Sequence, residues 1–329
     1  MIVAVALMVI VVVSALAILE LTRQPTAAPV GVVWYLWYGG PSSAGLGTAG
    51  WNSSSYPGGG SVVDRPAIGH YASDSNQTFA WQIGQMQEAG ISFAVVSWWG
   101  PYTTGESGAI NNATRGLFRY LKAADSSFKV AILVDAYNQT HDLSNSSLEA
   151  DYSYVYSSFV KPFGPWYFEW HGKPLLLFFN PVQPIYLDAS YSVRTVGNRP
   201  NPVNWTFWDA PTQYFSSQNG TQVNATNDEG PPVIAQDGEV TIVPRIDSYY
   251  QAKFGYSDSY LRFDPTLVTG LYQEQWNFVI ANKADVKLVL IYSWNEYHER
   301  TEIEPHHDAT AQVNDTYLLE MTAHYITKL

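Results

Sequence analysis

The sequence predicts an α/β protein, a (β/α)8 TIM barrel with an N-terminal transmembrane helix, and three observations carry that expectation. Short runs of Val, Ile, Leu and Phe recur along the chain with helical or loop segments between them, the pattern of parallel strands covered on both faces. The 329 residues, 46% of them hydrophobic, suffice for one large core of barrel size. Residues 2–19 hold no charged side chain and a single polar one, Ser14. As a helix that stretch spans about 27 Å, close to the hydrocarbon thickness of a bilayer.

Residues 1–22 form the expected membrane anchor, with Glu20 and Arg23 as the first charges. A cleaved signal peptide is the competing reading, since Ser14-Ala-Leu-Ala17 offers small residues for cleavage. Against it, no basic region precedes the apolar run, and the run is long for such a peptide. Residues 23–29, containing Pro25-Thr-Ala-Ala-Pro29, form a short stiff spacer, and residues 30–329 the barrel domain. Strands are expected at 30–36, 91–98, 129–134, 174–179, 239–243 and 287–292, with weaker candidates at 203–208 and 232–235 completing the set. Helices are expected at 78–89, closed by Gly90 as a C-terminal cap, at 113–124, at 147–160, and at 271–281 before the final strand. Residues 39–65 and 188–201, rich in Gly, Pro and Asn, form long irregular loops after strand ends. No repeat and no internal domain boundary interrupts the series.

Composition narrows the function. A net charge of −12 excludes nucleic acid as the natural partner, because phosphate binding needs a basic stripe. There is no cysteine, which removes disulfides, thiolate metal sites and a cysteine nucleophile together. Asn-X-Ser/Thr triplets occur at Asn52, Asn76, Asn112, Asn138, Asn145, Asn204, Asn219, Asn224 and Asn314. They point to a glycoprotein on an outer face, although loops rich in Ser, Thr and Asn also generate such triplets by clustering. With the apolar N-terminus, they place the barrel outside the cell, anchored at its surface, or secreted if the N-terminal segment is cleaved.

In a barrel of this kind the C-terminal ends of the strands carry the active site. Those ends bring Tyr35, Trp37 and Tyr38, then Trp98 and Trp99, then Asp135 and Tyr137, then Asn180, then Asp247. The last run stops in Trp294, Asn295, Glu296, His298 and Glu299, followed by Glu302 and Glu304. Flat aromatic faces stack on the C–H faces of sugar rings, while Asp, Glu, Asn and His bind hydroxyls. For a single Trp, ordinary core is an equal alternative; the set together indicates a carbohydrate cleft. Burying an unpaired carboxylate is costly. Two of them three residues apart at a strand mouth are what acid/base chemistry on a sugar requires.

The segment Ser293-Trp-Asn-Glu-Tyr-His-Glu-Arg-Thr-Glu-Ile-Glu-Pro305 resembles the signature of the endo-α-mannosidase family, glycoside hydrolase family 99, a run of the form Asn-Glu-Trp-His-Glu-Gly-Thr-Gln-Ile-Glu. Tyr35-Leu-Trp-Tyr-Gly39 is similar to that family's first-strand motif, Pro66-Ala-Ile-Gly-His-Tyr-Ala-Ser-Asp74 to the loop before its second strand, and the segment Gly90 to Pro101 to the strand that follows. The resemblance runs from Val30 onward. It implies a retaining, endo-acting α-mannosidase on a (β/α)8 barrel, acting on an α-mannose-containing oligosaccharide or glycan and needing no metal or cofactor. One carboxylate would deprotonate the sugar's own 2-hydroxyl, which attacks the anomeric carbon to give a 1,2-anhydro sugar. The second would protonate the leaving oxygen and then activate water. Carried over, Glu296 is the base and Glu299 the general acid/base, with Tyr35, Trp37, Tyr38, Trp98, Trp99, Asp135, Tyr137, Asp247, Trp294, Asn295 and His298 as substrate-binding residues.

Two departures stand out. The family's Gly after the second Glu is Arg300, a cation that would lower the pKa of the proposed acid unless its side chain turns away. The family's Glu-Pro-Tyr is Asp135-Ala-Tyr137, one methylene shorter. Other readings of the same residues are weaker. His298-Glu299-Arg-Thr-Glu302 lacks the second His of a zincin helix, and His306, His307 and Asp308 fit a solvated turn better than a metal site. No Gly-X-Ser-X-Gly elbow, phosphate loop or dinucleotide fingerprint is present. A rival of another class is a non-catalytic glycan-binding or structural surface protein, self-assembled into a filament or sheath through the N-terminal helix.

Overall fold

The structure, a computed structural model, describes residues 27–39, 50–51, 61–135, 145–179, 186–196, 204–205, 232–254 and 262–329. Eight strands in chain order form its frame: β1 (Val30–Tyr35), β2 (Phe93–Trp98), β3 (Lys129–Val134), β4 (Lys173–Phe179), β5 (Ser192–Val196), β6 (Asn204–Trp205), β7 (Glu239–Ile242) and β8 (Leu288–Ile291). They pair in parallel in the order β6-β5-β4-β3-β2-β1-β8-β7, a chain order bent round until β1 lies between β2 and β8. A short strand, Glu169–Trp170, runs antiparallel to the start of β4 and makes the sheet mixed. The result is a barrel-like sheet of the β/α kind.

Alternation along each strand divides the core into two layers. Val32 and Trp34 of β1, Ala94, Val96 and Trp98 of β2, and Val289 and Ile291 of β8 face outward into a shared cluster with Phe79, Leu117 and Trp276 from the helices. Val33 and Tyr35, Val95, Leu133, Leu177 and Leu290 face the barrel interior. Gly31 is required by that interior, because a Cβ there would lie 2.2 Å from the Phe93 ring. Phe93 in turn stacks on Phe168 with centroids 3.7 Å apart, filling the end where the strands begin.

β6 and β7 lie in contact without ladder hydrogen bonds among the described residues. Side chains join this seam instead. Asp237, just before β7, accepts from Trp170 Nε1 at 3.0 Å, Trp205 Nε1 at 2.9 Å and Arg194 Nε at 2.9 Å. Burial alone would raise the Asp237 carboxyl; the two indoles and Arg194 outweigh it and hold the group below its ordinary range.

Among the described residues the α-helices of five residues or more are α1 (Asn76–Glu88), α2 (Gly105–Ala123), α3 (Asn145–Val155), α4 (Tyr249–Lys253), α5 (Leu271–Ala281) and α6 (Tyr317–Ile326), and α3 runs on through a π-helical Tyr156–Val160 and a helical Lys161–Phe163. Ser75 caps α1 by accepting from Gln77 N–H, and Gly90 follows with a φ of +87° that suits a glycine terminator. Three expectations need correction. Residues 188–201 are not all loop, because β5 lies within them. Residues 232–235 form no strand; they lead into a turn in which Ala235 N–H donates to Glu239 O and Gly238 takes a positive φ. Helix α2 begins at Gly105, well before residue 113, because Gly108 and Ala109 pack as buried residues in its first turns.

Among the described residues no helix is long and apolar enough to cross a membrane, and the predicted anchor, residues 1–22, lies outside them. Of the sequons, Asn76 and Asn314 are exposed, and Asn145 and Asn204 open α3 and β6. Asn112 is exposed in the middle of α2, where its partner Thr114 is buried and bonded to Ile110 O, so it is not on the surface loop that a sequon implies. Asn52, Asn138, Asn219 and Asn224 lie outside the described residues.

Candidate active site

The segment after β8 turns back under the mouth of the barrel and is fixed there by β1. Asn295 Oδ1 accepts from Tyr35 N–H at 2.9 Å, and its Nδ2 donates to Tyr35 O at 2.9 Å and to Tyr71 Oη at 3.0 Å. Tyr38 Oη donates to Asn295 O at 2.7 Å and accepts from Tyr297 N–H at 3.1 Å. Ser293 Oγ accepts from Glu296 N–H at 2.8 Å. Asn295 and Tyr38, expected to bind substrate, therefore serve as clamps that hold the acidic segment against β1.

Two carboxylates sit in this segment. Glu296 is buried and accepts from His298 N–H at 2.9 Å. Burial and the neighbouring Glu299 push its carboxyl well above the ordinary range. Glu299 is half-buried and accepts from Tyr292 Oη at 2.8 Å, and Tyr292 Oη accepts in turn from Tyr35 Oη at 3.0 Å. Burial raises Glu299 too, Tyr292 opposes the rise, and Asp135 adds to it. Asp135, at the end of β3, accepts from Ser97 Oγ at 3.0 Å. The two glutamates act on one another electrostatically, so the first proton lost belongs to the pair rather than to either residue.

The aromatic residues divide. Trp37 is half-buried and stacks on Tyr35 at 4.3 Å, with Trp99 edge-on at 5.6 Å and His298 at 6.4 Å. His298 is buried with Nδ1 2.6 Å from Ser61 Oγ, and burial brings its pKa down to about 4, so the ring is neutral at neutral pH. Trp98 and Trp294 point away from this mouth into the outer core, where Trp98 stacks on Tyr154 and its Nε1 donates to Asn111 Oδ1. Both are core residues: Trp98 has the parity of the outward-facing positions of β2, and Trp294, beyond the end of β8, is buried in the same cluster. Tyr137 and Asn180 lie outside the described residues.

Asp247 does not face the glutamates. It is buried against Arg300, whose Nη1 lies 2.9 Å from Oδ2, and Arg262, whose Nε lies 3.2 Å from Oδ1. Arg300 is itself fully buried and turned away from Glu299, with Nε 2.6 Å from Asp64 Oδ2 and Nη2 3.2 Å from Asp308 Oδ1. Arg245 completes the network, bonding Asp64 and Glu302 at 3.0 Å each, Asp308, and the Arg300 carbonyl at 2.9 Å. His306 and Asp308 belong to it and are buried, which overturns the solvated turn; of that trio His307 alone is exposed. Burial would lower His306, but Glu302 and Asp308 outweigh it and raise the group. Asp64, His306 and Asp308 bring ligand atoms within 4.8 Å of one another. With both guanidinium groups already on these carboxylates, the cluster is an ion-pair network and not a metal site.

Sequence reasoning missed Tyr292, Ser61, Ser97, Trp51 and the second carboxylate cage around Glu304. Glu304 accepts from Tyr71 Oη and Tyr297 Oη at 2.8 Å each and from Gln82 Nε2, and burial raises it to about 7. Trp51 stacks on Tyr38 at 4.2 Å and donates to Tyr71 O. Tyr71 and Tyr297 lay inside the quoted motifs, so that signal was available; Tyr292 was hidden as the last residue of an apolar run.

No protein-family sequence profile matches the chain, and no curated protein does. Solved structures do. A GH99 endo-α-mannosidase from Bacteroides thetaiotaomicron, in complex with BIS-TRIS propane, superposes with a TM-score of 0.61 at 17% identity, over 91% of this chain and 96% of that one. A second structure of the GH99 endo-α-mannosidase from the same organism gives 0.61 at 16%, with the same coverage. A glycoside hydrolase-like protein gives 0.56 at 14%, over 92% of this chain and 97% of that one. The fold is thus that of the family the sequence motifs resemble.

Proposed function

We propose that the chain is a glycoside hydrolase of the GH99 kind, a retaining endo-acting α-mannosidase on a closed (β/α)8 barrel. The observation that carries this reading is the pair Glu296 and Glu299, three residues apart, electrostatically joined and raised, with the half-buried Trp37 meeting His298 between them at 6.4 Å. A raised carboxyl keeps its proton to a higher pH than an ordinary one, as a general acid must. The fold shared with the Bacteroides enzymes supports the same conclusion.

Burial and their mutual charge raise both carboxyls, so they titrate as a pair, with Tyr292 donating to Glu299. In the complex the roles assigned by resemblance put the ionised carboxylate beside the mannosyl 2-hydroxyl, at Glu296, and the pair's proton beside the glycosidic oxygen, at Glu299. Glu296 takes the 2-hydroxyl proton, O2 bonds to the anomeric carbon, the glycosidic bond breaks, and Glu299 gives its proton to the leaving oxygen. Glu299 then takes a proton from water, whose oxygen attacks the anomeric carbon as the C1–O2 bond breaks, and Glu296 returns its proton to the departing O2. In this reading His298, neutral, and Asp135 bind hydroxyls, and Trp37 stacks on a ring.

Glu296→Gln and Glu299→Gln should each lower kcat on an aryl α-mannoside by about 10²–10⁴-fold while the thermal unfolding profile stays cooperative. Wild-type rates in both variants would end the assignment. The N-terminal segment is proposed as a membrane anchor, with the barrel displayed outside the cell and glycosylated; sequon occupancy in the native host, read by mass spectrometry, tests that part.

A further inference from the structure

Among the described residues of the site, Trp37 and Glu299 keep open surface, and a continuous chain of contacts joins them. The Trp37 ring stacks on Tyr35; Tyr35 Oη donates to Tyr292 Oη at 3.0 Å; Tyr292 Oη donates to Glu299 Oε2 at 2.8 Å. Both phenols are buried, and the Tyr292 ring meets Tyr35 edge-on at 6.3 Å. Tyr35 cannot shift easily, since Asn295 holds its backbone N–H and C=O together. Burial and the charges on Glu299 and Glu296 push the Tyr292 phenol far up, so it stays a neutral donor throughout the working pH range.

We infer that Tyr292 is a positioning residue for the acid/base carboxylate, and that through Tyr35 it fixes Glu299 relative to the Trp37 stacking face. This rests on the functional reading above. Two hydroxyls in series polarise one another, which strengthens the terminal bond to the carboxylate. That bond occupies Oε2, leaving Oε1 for the glycosidic oxygen. It also stabilises the ionised form, so the group is ready to accept a proton from water in the second half of the reaction.

The test is Tyr292→Phe, which keeps the ring and its packing, with Tyr35→Phe as the second variant. On an aryl α-mannoside, Tyr292→Phe should lower kcat about tenfold with KM changed far less, and move the limbs of the pH–rate profile upward by about one unit summed over the two. Tyr35→Phe should move them in the same direction and less. An infrared titration of the carboxyl C=O band that disappears in Glu299→Gln should show the same upward displacement in Tyr292→Phe, without any turnover. Limbs and band unmoved in a folded Tyr292→Phe protein overturn the inference. Should the wild-type protein cleave no α-mannoside, the functional reading fails, and the infrared band still decides whether Tyr292 governs Glu299.

Discussion

Arg300 takes a φ of +55°, a region glycine adopts freely and most residues avoid. The resembled motif has glycine there. This chain holds an arginine in the same turn because Asp64, Asp247, Asp308, Thr310 Oγ1 and the Pro265 carbonyl receive its guanidinium. Arg300→Gly relieves the backbone but leaves buried carboxylates short of a partner, and should destabilise the fold by about 3–5 kcal/mol in denaturant unfolding. Glu304 makes a separate prediction. Its carboxyl sits at about 7 in the folded protein against an ordinary 4.5, so its neutral form is the native one. The contribution is complete below pH about 4.5 and is lost as pH rises through about 7, up to about 3 kcal/mol. Unfolding free energy should therefore fall between pH 5 and pH 8 more steeply in the wild type than in Glu304→Gln; equal slopes would contradict it. At this scale the sequence was partly legible. Residue type and motif singled out Glu296, Glu299 and Trp37; the structure joins the two glutamates electrostatically and sets Trp37 against His298. Trp98 and Trp294 were misplaced, although Trp98 shares parity with Ala94 and Val96, and that alternation was there to be used. The destination of the Arg300 side chain was not legible, because its main partner, Asp64, lies 236 positions away.

Among the elements, those that announced themselves were buried on both faces. β1, β2, β3 and β8 are continuous apolar runs, and their expected limits agree with the structure to within two residues at most. β5 was taken for loop because Ser192, Arg194 and Thr195 interrupt its apolar pattern. Arg194 is tolerated in a strand here because Asp237 and the face of Trp205 receive it. The same Asp237 ties β5, β6 and the entry to β7, where no backbone ladder is described. Asp237→Ala strands two indole N–H donors and one guanidinium and should cost about 2–4 kcal/mol, measured by thermal unfolding. A cost under about 0.5 kcal/mol would show that the seam is held by something else.

For the whole molecule, one division of labour recurs. An apolar barrel interior and an outer layer of helices supply the packing, and polar groups gather in the segment that follows β8. There Glu296 and Glu299 form a raised pair, while the remaining carboxylates are neutralised by Arg245 and Arg300 or caged by tyrosines. The barrel-like β/α sheet and the acidic segment were both visible in the chain's order of runs and in one long motif. The neutralising network was not, since it assembles residues from four separate loops. The most direct test of the account is a proton NMR time course of the purified protein with a disaccharide whose reducing-end α-mannosyl unit carries an aryl leaving group. The account predicts release of the intact disaccharide, first seen as its α-anomer, by the wild type and by neither glutamate variant. Absence of release by folded wild-type protein, or a β-anomer as first product, would contradict it.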